Sequence, residues 1–346
     1  MEVKIPSYVY LQKDAITKLS RVLEKIDSQN PIMLTGRTTK QLVERKIENV
    51  PFTGIFIVEK GSILQAREII VGVSYGEVDT VVGIGGGKVL DVSKVVATEL
   101  NAEFVSVPTT ASHDGIASPV ASFKENGEPV SISTKPPVAV IADTEIIKSC
   151  PRRLIHSGFG DLISNITAVK DWRLSKDLKG ESYNEVAATI ASLPAYLMVN
   201  RAKDPDFRLE NEIETLLRGL IMSGVAIAVV GRSRPASGAE HKFSHALDYL
   251  GYGYGTHGEQ VGLGTIIFEY FYEKEYGDGD WELIREALRN AGAPTKAEQI
   301  GLSRDQLIEA LLYAKKIRKK RFTILEALDL SKEDFEKAIE ETRVVD

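Results

Sequence analysis

Residues 80–91 read TVVGIGGGKVLD, an apolar run that ends in three glycines and continues into a helical pattern. Thr80–Ile84 has the composition of a buried strand, and Val89–Leu100 has the periodicity of a helix. Glycines between a strand and a helix let backbone N–H groups approach phosphate oxygens, and the helix N-terminus favours negative charge there. The stretch therefore predicts a phosphate-binding turn, with an ordinary tight turn as the alternative.

This turn matches neither of the two common phosphate-binding motifs. A P-loop requires glycine where Val82 stands, and the dinucleotide motif would place its third glycine at Lys88. The prediction therefore depends on the order strand, glycine turn and helix rather than on a motif.

The same alternation of strand and helix extends on both sides of the turn. Buried strands are predicted at Ile32–Thr35, Ile55–Val58, Thr80–Ile84, Phe104–Val107 and Val138–Ala142. Helical patterns lie between most of them, which indicates a parallel sheet covered on both faces. Beyond Pro151 almost every pattern is helical, as in Arg304–Lys320. The fold class is thus α/β over residues 1–150, a dinucleotide-binding Rossmann-like sheet domain, with an all-α metal- and substrate-binding domain over 151–346.

Composition limits the function further. The chain has 346 residues, a net charge of −6 and one cysteine, Cys150. The acidic balance argues against nucleic acid as a partner, and a single cysteine allows neither an internal disulfide nor a cysteine-rich zinc site. The N-terminus lacks a basic segment followed by an apolar one, so we expect no signal peptide, and the apolar stretch Leu220–Gly231 is too short to cross a bilayer. We expect a cytoplasmic protein that is not integral to a membrane, and the basic run Lys315–Arg321 is interpreted as a solvated helix face.

Three of the five histidines fall within seventeen residues. His241 and His245 are one helical turn apart, and His257 follows a glycine-rich turn. Because the chain has a single cysteine, His and carboxylate side chains are the natural metal ligands. Asp161 supplies a carboxylate after the turn Ser-Gly-Phe-Gly. The alternative is a surface pair or separately satisfied core histidines.

A second loop follows the strand Phe104–Val107 and reads PTTASHDG, residues 108–115. Small hydroxyl side chains at the carboxyl end of a strand suit a nicotinamide or pyrophosphate neighbour. An ordinary turn is an equal alternative from spacing alone.

Together these motifs resemble the iron-type, metal-dependent alcohol dehydrogenase and dehydroquinate synthase superfamily over essentially the whole chain. The glycine turn with Lys88, Asp91 and Lys94, the loop 109–115, and Asp161 with the late histidines occur in the family's order. The segment GRSRPASG (231–238) before His241, the stretch RFTIL (321–325) and the sequence TASHDG (110–115) are similar to the sn-glycerol-1-phosphate dehydrogenase subfamily.

The resemblance implies a role for each matching residue. Metal ligands would be Asp161, His241 and His257. Asp114, Asp161 and His245 would line the substrate and carry catalysis. The cofactor NAD(P) would be held by Gly85, Gly86, Gly87, Lys88, Val89, Leu90, Asp91, Thr109, Thr110, Ala111, Ser112 and Ser118. His113 and His156 are expected to be structural.

The resemblance also implies a reaction: reversible NAD(P)H-dependent reduction of dihydroxyacetone phosphate to sn-glycerol 1-phosphate, for archaeal-type phospholipid backbones. A divalent metal, with zinc preferred over nickel or iron, would activate the carbonyl, and His245 or a metal-bound water would donate the proton. For the substrate phosphate we expect donors among Arg232, Arg234, Lys242 and Arg321, although a structural ion pair is an equal interpretation of the first two.

Cofactor choice is a separate expectation. Arg37 follows the strand Ile32–Thr35, and no acidic residue stands there to hold a ribose 2′-hydroxyl, so NADP should be accepted as well as NAD.

Three other functions stay open at this point. Another polyol or polyol-phosphate dehydrogenase of the same fold is the nearest alternative. A dehydroquinate synthase-like lyase is disfavoured because this sequence lacks the dense set of lysines and arginines that binds the substrate in such enzymes. A catalytically inactive binding protein would not need Asp161, His241 and His257 together. The oligomeric state is left open, including a homo-oligomer.

Overall fold

The computed structural model describes residues 3–73, 77–125 and 128–345. The strands in this part are β1 (Tyr8–Gln12), β2 (Pro31–Thr35), β3 (Gly54–Ile57), β4 (Thr80–Gly85), β5 (Glu103–Pro108), β6 (Val120–Glu125), β7 (Glu128–Ser133) and β8 (Ala139–Asp143). The helices are α1 (Leu19–Lys25), α2 (Arg37–Val43), α3 (Ile63–Gly72), α4 (Gly87–Glu99), α5 (Thr144–Lys148), α6 (Arg152–Lys179), α7 (Glu185–Arg201), α8 (Ile213–Val230), α9 (Ala239–Leu250), α10 (His257–Tyr276), α11 (Trp281–Asn290), α12 (Arg304–Ala314), α13 (Ile324–Ala327) and α14 (Lys332–Glu341).

Six strands form one parallel sheet in the order β1–β8–β5–β4–β2–β3. The side chains of β2, β4 and β8 are buried along their whole length, as expected for strands covered on both faces. The predicted fold class, a parallel α/β sheet followed by a helical C-terminal region, is confirmed. All five predicted strands are present, with ends that differ by one residue at most.

Sequence patterns missed two features of this region. The edge strand β1 alternates exposed and less exposed residues and was not distinguishable from an extended N-terminus. Strands β6 and β7 pair as an antiparallel hairpin outside the main sheet. Both have short alternating patterns, which carry a weaker signal than the continuous apolar runs of the central strands.

The helical region contains one helix that is long and apolar enough to cross a membrane by length and composition, among the described residues. This is α8, with a mean hydropathy of 1.8. It is longer than the predicted stretch Leu220–Gly231, but 56% of its residues are buried, and it packs against α6 and α7. A core helix passes the same test, so this feature is weak evidence for a membrane span.

One continuous hydrophobic core joins the sheet region to the helical region. It contains Ala111 and Ala117 beyond β5 together with Phe159 and Leu162 of α6 and Leu220 of α8. The division into domains at residue 150 stays a prediction.

Close backbone contact fixes α6 against α10. A Cβ atom at Gly258 would lie 1.7 Å from the carbonyl oxygen of Ser157, and one at Gly160 would lie 2.1 Å from the carbonyl oxygen of Gly258. On its other side, α6 meets the loop after β5, because a Cβ at Gly158 would lie 1.7 Å from the carbonyl oxygen of Ala111. Glycine is required at these positions because of space, not because of an unusual φ angle.

Replacing Gly258 with alanine should therefore destabilise the protein. The new methyl group forces α10 away from α6, and we expect a loss of about 3 kcal/mol in the free energy of unfolding, measured by chemical denaturation. Gly72→Ala is the control, because the nearest atom to its Cβ would be 3.9 Å away. That variant should be unchanged or more stable by about 0.5–1 kcal/mol. Equal stability of the Gly258→Ala variant and the wild type would contradict the close contact.

Candidate active site

A cavity of about 430 Å³ lies beyond the carboxyl ends of β4 and β5 and reaches into the helical region. These two strands are neighbours, and the amide of Thr109 donates to the carbonyl of Gly85 at 3.0 Å, so the loops that follow them lie side by side. The cavity is lined by Gly61, Gly87, Lys88, Asp91, His113, Asp114, Gly115, Ser118, Val120, Ser122, Phe123, Lys124, Pro129, Val130, Ser131, Asp161, Ile227, Ser233, Ala236, Ser237, His241, His245, Asp248, His257 and Arg318.

Asp161, His241 and His257 meet at one wall of this cavity. The Nε2 atoms of His241 and His257 are 3.2 Å apart. Oδ1 of Asp161 lies 3.9 Å from Nε2 of His241 and 3.5 Å from Nε2 of His257. The three side chains come from α9, α10 and α6, and the close contact of α6 with α10 is what brings them together.

The outer nitrogen of each imidazole is held by a neighbour. Nδ1 of His241 is 2.8 Å from Oε1 of the buried Glu240. Nδ1 of His257 is 3.2 Å from Oγ of Ser244, whose hydroxyl donates to Oε1 of Gln260 at 2.6 Å. Both Nδ1 atoms are therefore donors, and both Nε2 lone pairs point towards each other and towards the Asp161 carboxylate.

This donor set fits a divalent metal ion. Burial lowers the pKa of His241 and His257 well below the usual value, which keeps both imidazoles neutral. Two facing lone pairs and a carboxylate oxygen repel each other unless a cation lies between them. Ligand atoms about 2.1 Å from a tetrahedral zinc ion are about 3.4 Å from one another, and the observed separations of 3.2, 3.5 and 3.9 Å match that spacing.

A second acidic residue, Asp114, orients the carboxylate of Asp161 through its backbone amide. The backbone amide of Asp114 donates to Oδ2 of Asp161 at 2.9 Å, which leaves Oδ1 directed at the histidines. The Asp114 side chain accepts from the hydroxyl of Ser223 at 2.8 Å. Burial raises the pKa of Asp114, and burial together with the charge of Asp114 raises the pKa of Asp161 well above its usual value. A bound cation would offset this repulsion.

His245 lies next to the cluster but is not part of it. Its ring centroid is 6.5 Å from that of His241 and 6.2 Å from that of His257. Its Nδ1 is buried and has no hydrogen-bond partner in the described part of the chain. Spacing alone suggested His241 and His245 as a ligand pair, but the geometry groups His241 with His257 and Asp161.

The glycine turn is partly in the cavity. Gly87, Lys88, Asp91 and Ser118 line it, whereas the rest of the predicted cofactor set does not. Outside the lining are Gly85, Gly86, Val89, Leu90, Thr109, Thr110, Ala111 and Ser112. Val89, Leu90 and Ala111 have side chains in the hydrophobic core, so they could meet a ligand through their backbone only.

His113 was expected to be structural, but it lines the cavity. The amide of Gly115 donates to its Nδ1 at 3.0 Å, and the ring packs against Gly87, where a Cβ would lie 2.2 Å from Nε2. His156 does not line the cavity, as expected.

The predicted phosphate donors do not line the cavity. Arg234 and Arg232 both pair with Glu181, and Arg232 also donates to the carbonyl and hydroxyl of Ser182. The structural ion pair, which the sequence left as an equal alternative, is the arrangement found.

The other two predicted donors also have partners in the protein. Lys242 pairs with Glu326, and the guanidinium of Arg321 donates to backbone and hydroxyl oxygens of Ser233 and to the carbonyl of Ser237.

The basic run Lys315–Arg321 is not a solvated helix face. Helix α12 ends at Ala314, six residues before the predicted end, and the chain continues as turns. Arg318 lines the cavity and Arg321 lies behind it, so two of the basic side chains point inward. The tertiary contacts of this segment overrode its helical composition.

Near the end of β2, the expectation that no acidic residue lies close to Arg37 is wrong. Arg37 forms an ion pair with Glu59, which follows β3. Because β2 and β3 are paired neighbours, an acidic residue does stand beside Arg37, contrary to the expectation. The pair is largely exposed.

Sequence reasoning missed Glu240, Ser244, Gln260 and Arg318. The pairs Glu240-His241 and His257-x-x-Gln260 were visible in the sequence, but nothing in it showed that these side chains hold the imidazoles. Arg318 was visible only as one member of a basic run.

The chain is similar to known proteins over its whole length. A family model described as iron-containing alcohol dehydrogenase matches residues 10–151. A glycerol-1-phosphate dehydrogenase [NAD(P)+] of Archaeoglobus fulgidus is 60% identical over 346 residues, which cover 99% of this chain and 98% of that protein. A protein of the same name from Pyrococcus furiosus is 40% identical over 348 residues, covering 99% of each.

Solved structures with much lower identity share the fold. A probable glycerol dehydrogenase from Sinorhizobium meliloti has a TM-score of 0.79 at 20% identity, covering 99% of this chain and 97% of that one. A glycerol dehydrogenase from Schizosaccharomyces pombe has a TM-score of 0.78 at 18% identity, covering 99% and 90%.

The hydroxyl of Ser244 should be needed for tight metal binding. In Ser244→Ala the Nδ1–H of His257 loses its acceptor, so the ring is less well oriented, and we expect affinity for Zn²⁺ to fall by about 10- to 100-fold, measured by competition with a chelating dye. Thr265→Val is the control, because it removes a buried hydroxyl of α10 that donates to the carbonyl of Val261 in the same helix. Equal losses in both variants would show a general packing effect instead.

Proposed function

The chain belongs to the glycerol-1-phosphate dehydrogenases, and we propose that it interconverts dihydroxyacetone phosphate and sn-glycerol 1-phosphate with NAD(P), in the synthesis of archaeal-type phospholipid backbones. The reaction and the lipid role follow from the family, given 60% identity over the whole chain. The observation within the molecule that supports it is a single cavity that contains both the metal-binding cluster and the start of the glycine turn.

We assign metal binding to Asp161, His241 and His257, with zinc as the preferred ion because nitrogen and carboxylate ligands at this spacing suit it. When bound, the metal supplies Lewis-acid activation of the substrate carbonyl, and the nicotinamide supplies or accepts the hydride. Glu240 and Ser244 hold the two imidazoles so that their Nε2 atoms face the cavity.

His245 handles the proton in this proposal. Reduction of the carbonyl requires a proton at the oxygen, and oxidation of the alcohol releases one. His245 lines the cavity beside the metal cluster, and its Nδ1 has no hydrogen-bond partner among the described residues. A side chain within hydrogen-bond reach of the reacting oxygen is the usual general acid or base. Asp114 orients Asp161 through its amide and shares the substrate-facing wall.

The cofactor lies over the glycine turn in this proposal. Gly87 and Lys88, at the N-terminus of α4, would hold its phosphates, and Ser118, which also lines the cavity, would contribute to the same site. Residues 85–91 and 109–112, where they do not line the cavity, contribute backbone groups. The Arg37–Glu59 pair supports use of both cofactors, since Glu59 suits a ribose 2′-hydroxyl and Arg37 a 2′-phosphate.

A cytoplasmic location and the domain boundary at residue 150 are part of the proposal and are not needed for the chemistry. So is assembly with further copies of the chain. Nucleic acid is not expected as a partner, given the net charge of −6.

The direct test is an assay of NADH and NADPH oxidation with dihydroxyacetone phosphate, before and after removal of the metal with a chelator. We expect turnover with both cofactors, loss on chelation, recovery on adding Zn²⁺, and sn-glycerol 1-phosphate as the product by chiral analysis. Dihydroxyacetone is the comparison substrate in this direction. Glycerol and arabitol phosphate are compared with sn-glycerol 1-phosphate in the reverse assay, which follows reduction of NAD⁺ or NADP⁺. A better rate with one of these, or formation of the opposite enantiomer, would favour another polyol dehydrogenase of this fold.

Two single variants separate the roles of the histidines. His257→Ala should lose bound metal, because only two of the three ligands remain. His245→Ala should keep the metal but lower kcat by about 100-fold or more, because proton transfer is slowed. Metal content by mass spectrometry and kcat of the same preparations are the measurements. Loss of metal from His245→Ala with retention in His257→Ala would reverse the assignment.

A further inference from the structure

Arg318 is a cationic side chain of the cavity wall that has no acidic partner among the described residues. Arg318 lines the cavity, and its guanidinium donates to the hydroxyl oxygens of Ser131 at 2.8 Å and Ser237 at 3.3 Å. No carboxylate lies within 4 Å of it in the described part of the chain. A guanidinium has five N–H donors, so two hydroxyl contacts leave most of its bonding capacity unused.

The other basic groups near the cavity differ from Arg318 in their partners or their position. Lys124 lies 3.5 Å from Asp248, and Lys94 pairs with Asp91. Lys88 has no ion-pair partner among the described residues, but it lies in the first turn of α4, at the glycine turn where the cofactor phosphates are proposed to bind. Arg232, as noted, pairs with Glu181 outside the cavity. Outside the glycine turn, Arg318 is therefore the cavity-lining cation without an acidic partner among the described residues.

Arg321 adds a second positive charge behind the cavity and holds the Ser233–Ser237 segment of its wall. Within the described part of the chain it also lacks a carboxylate within 4 Å, and it donates to Ser233 and Ser237, both of which line the cavity. Burial lowers the pKa of both guanidinium groups, and the charge of Arg318 lowers that of Arg321 further, to about 9. An anion bound between them would offset that repulsion.

The backbone at Arg318 has an unusual conformation. Its φ angle is 45°, in the left-handed region that non-glycine residues rarely adopt, at a cost of about 1 kcal/mol. The turn that follows α12 directs the side chain into the cavity, which His241 and His245 also line.

We propose that Arg318, with the hydroxyls of Ser131 and Ser237, binds the phosphate dianion of the substrate. This inference rests on the proposed function, because it supplies the phosphate site which that substrate requires. A guanidinium can bind two phosphate oxygens at once, and the two serine hydroxyls can turn from Arg318 to the phosphate. Arg321 is a positioning residue that holds the Ser233–Ser237 turn.

The proposal is tested by comparing dihydroxyacetone phosphate with dihydroxyacetone, which lacks only the phosphate. In Arg318→Ala the KM for the phosphorylated substrate should rise by about 10- to 100-fold, as expected for a lost charge-assisted contact. Activity on dihydroxyacetone and metal content should stay within about twofold of wild type. Arg318→Lys should recover part of the loss. Arg232→Ala, which removes an arginine outside the cavity, should leave KM unchanged.

A binding experiment keeps this test independent of turnover. With saturating NAD⁺ to fill the cofactor site, inorganic phosphate should raise the melting temperature of the wild type and of Arg232→Ala, but not that of Arg318→Ala. If the wild type does not reduce dihydroxyacetone phosphate, the proposed function fails while this measurement still tests the anion site. The proposal is overturned if Arg318→Ala binds phosphate like wild type, or if its activity on both substrates falls equally.

Discussion

The contact between the backbones of α6 and α10 determines the geometry of the whole site. Gly160 and Gly258 let the two helices approach until main-chain atoms touch, and Gly158 does the same against the loop after β5. Asp161 is one residue beyond the first of these contacts, and His257 is the first residue of α10. The carboxylate and the imidazole therefore come within 3.5 Å because side chains are absent, not because long side chains reach across a gap.

Electrostatics then distinguishes this cluster from an ordinary buried polar network. Some buried charges are compensated within the protein, as where Lys170 pairs with Glu269. At the cavity wall two carboxylates, Asp114 and Asp161, lie together with neutral imidazoles and no basic partner within ion-pair distance among the described residues. Burying like charges raises the free energy of the folded state unless something offsets it. The arrangement is stable when a cation is present, which is why the ligand set and the fold are best understood together.

Sequence patterns predicted the central strands well because continuous apolar runs are long and unambiguous. They failed for β1 and the β6–β7 hairpin, where alternation is short, and for the end of α12, where tertiary contacts with Ser131 and Ser237 compete with helical propensity. For the site, spacing found the region but paired His241 with His245. Helical periodicity shows which residues share one face of a helix. The choice of His257 depends instead on how α9 and α10 cross, which local sequence does not reveal. The family resemblance supplied it.

Basic residues show most clearly what a motif can and cannot establish. Arg232 and Arg234 stand in the segment that is most typical of the subfamily, and that made them natural phosphate donors. Glu181, far away in sequence, neutralises both. Arg318 stands in a run that looked like solvated surface, yet its position after α12 leaves it facing the cavity with only hydroxyl partners. A basic side chain that is paired with a carboxylate inside the protein is less able to bind an anionic ligand, because the ligand must first displace that carboxylate. Arg318 is the arginine of the cavity lining, and among the described residues it has hydroxyl partners but no carboxylate partner. This is learned from the partners of each arginine and not from its position in the sequence.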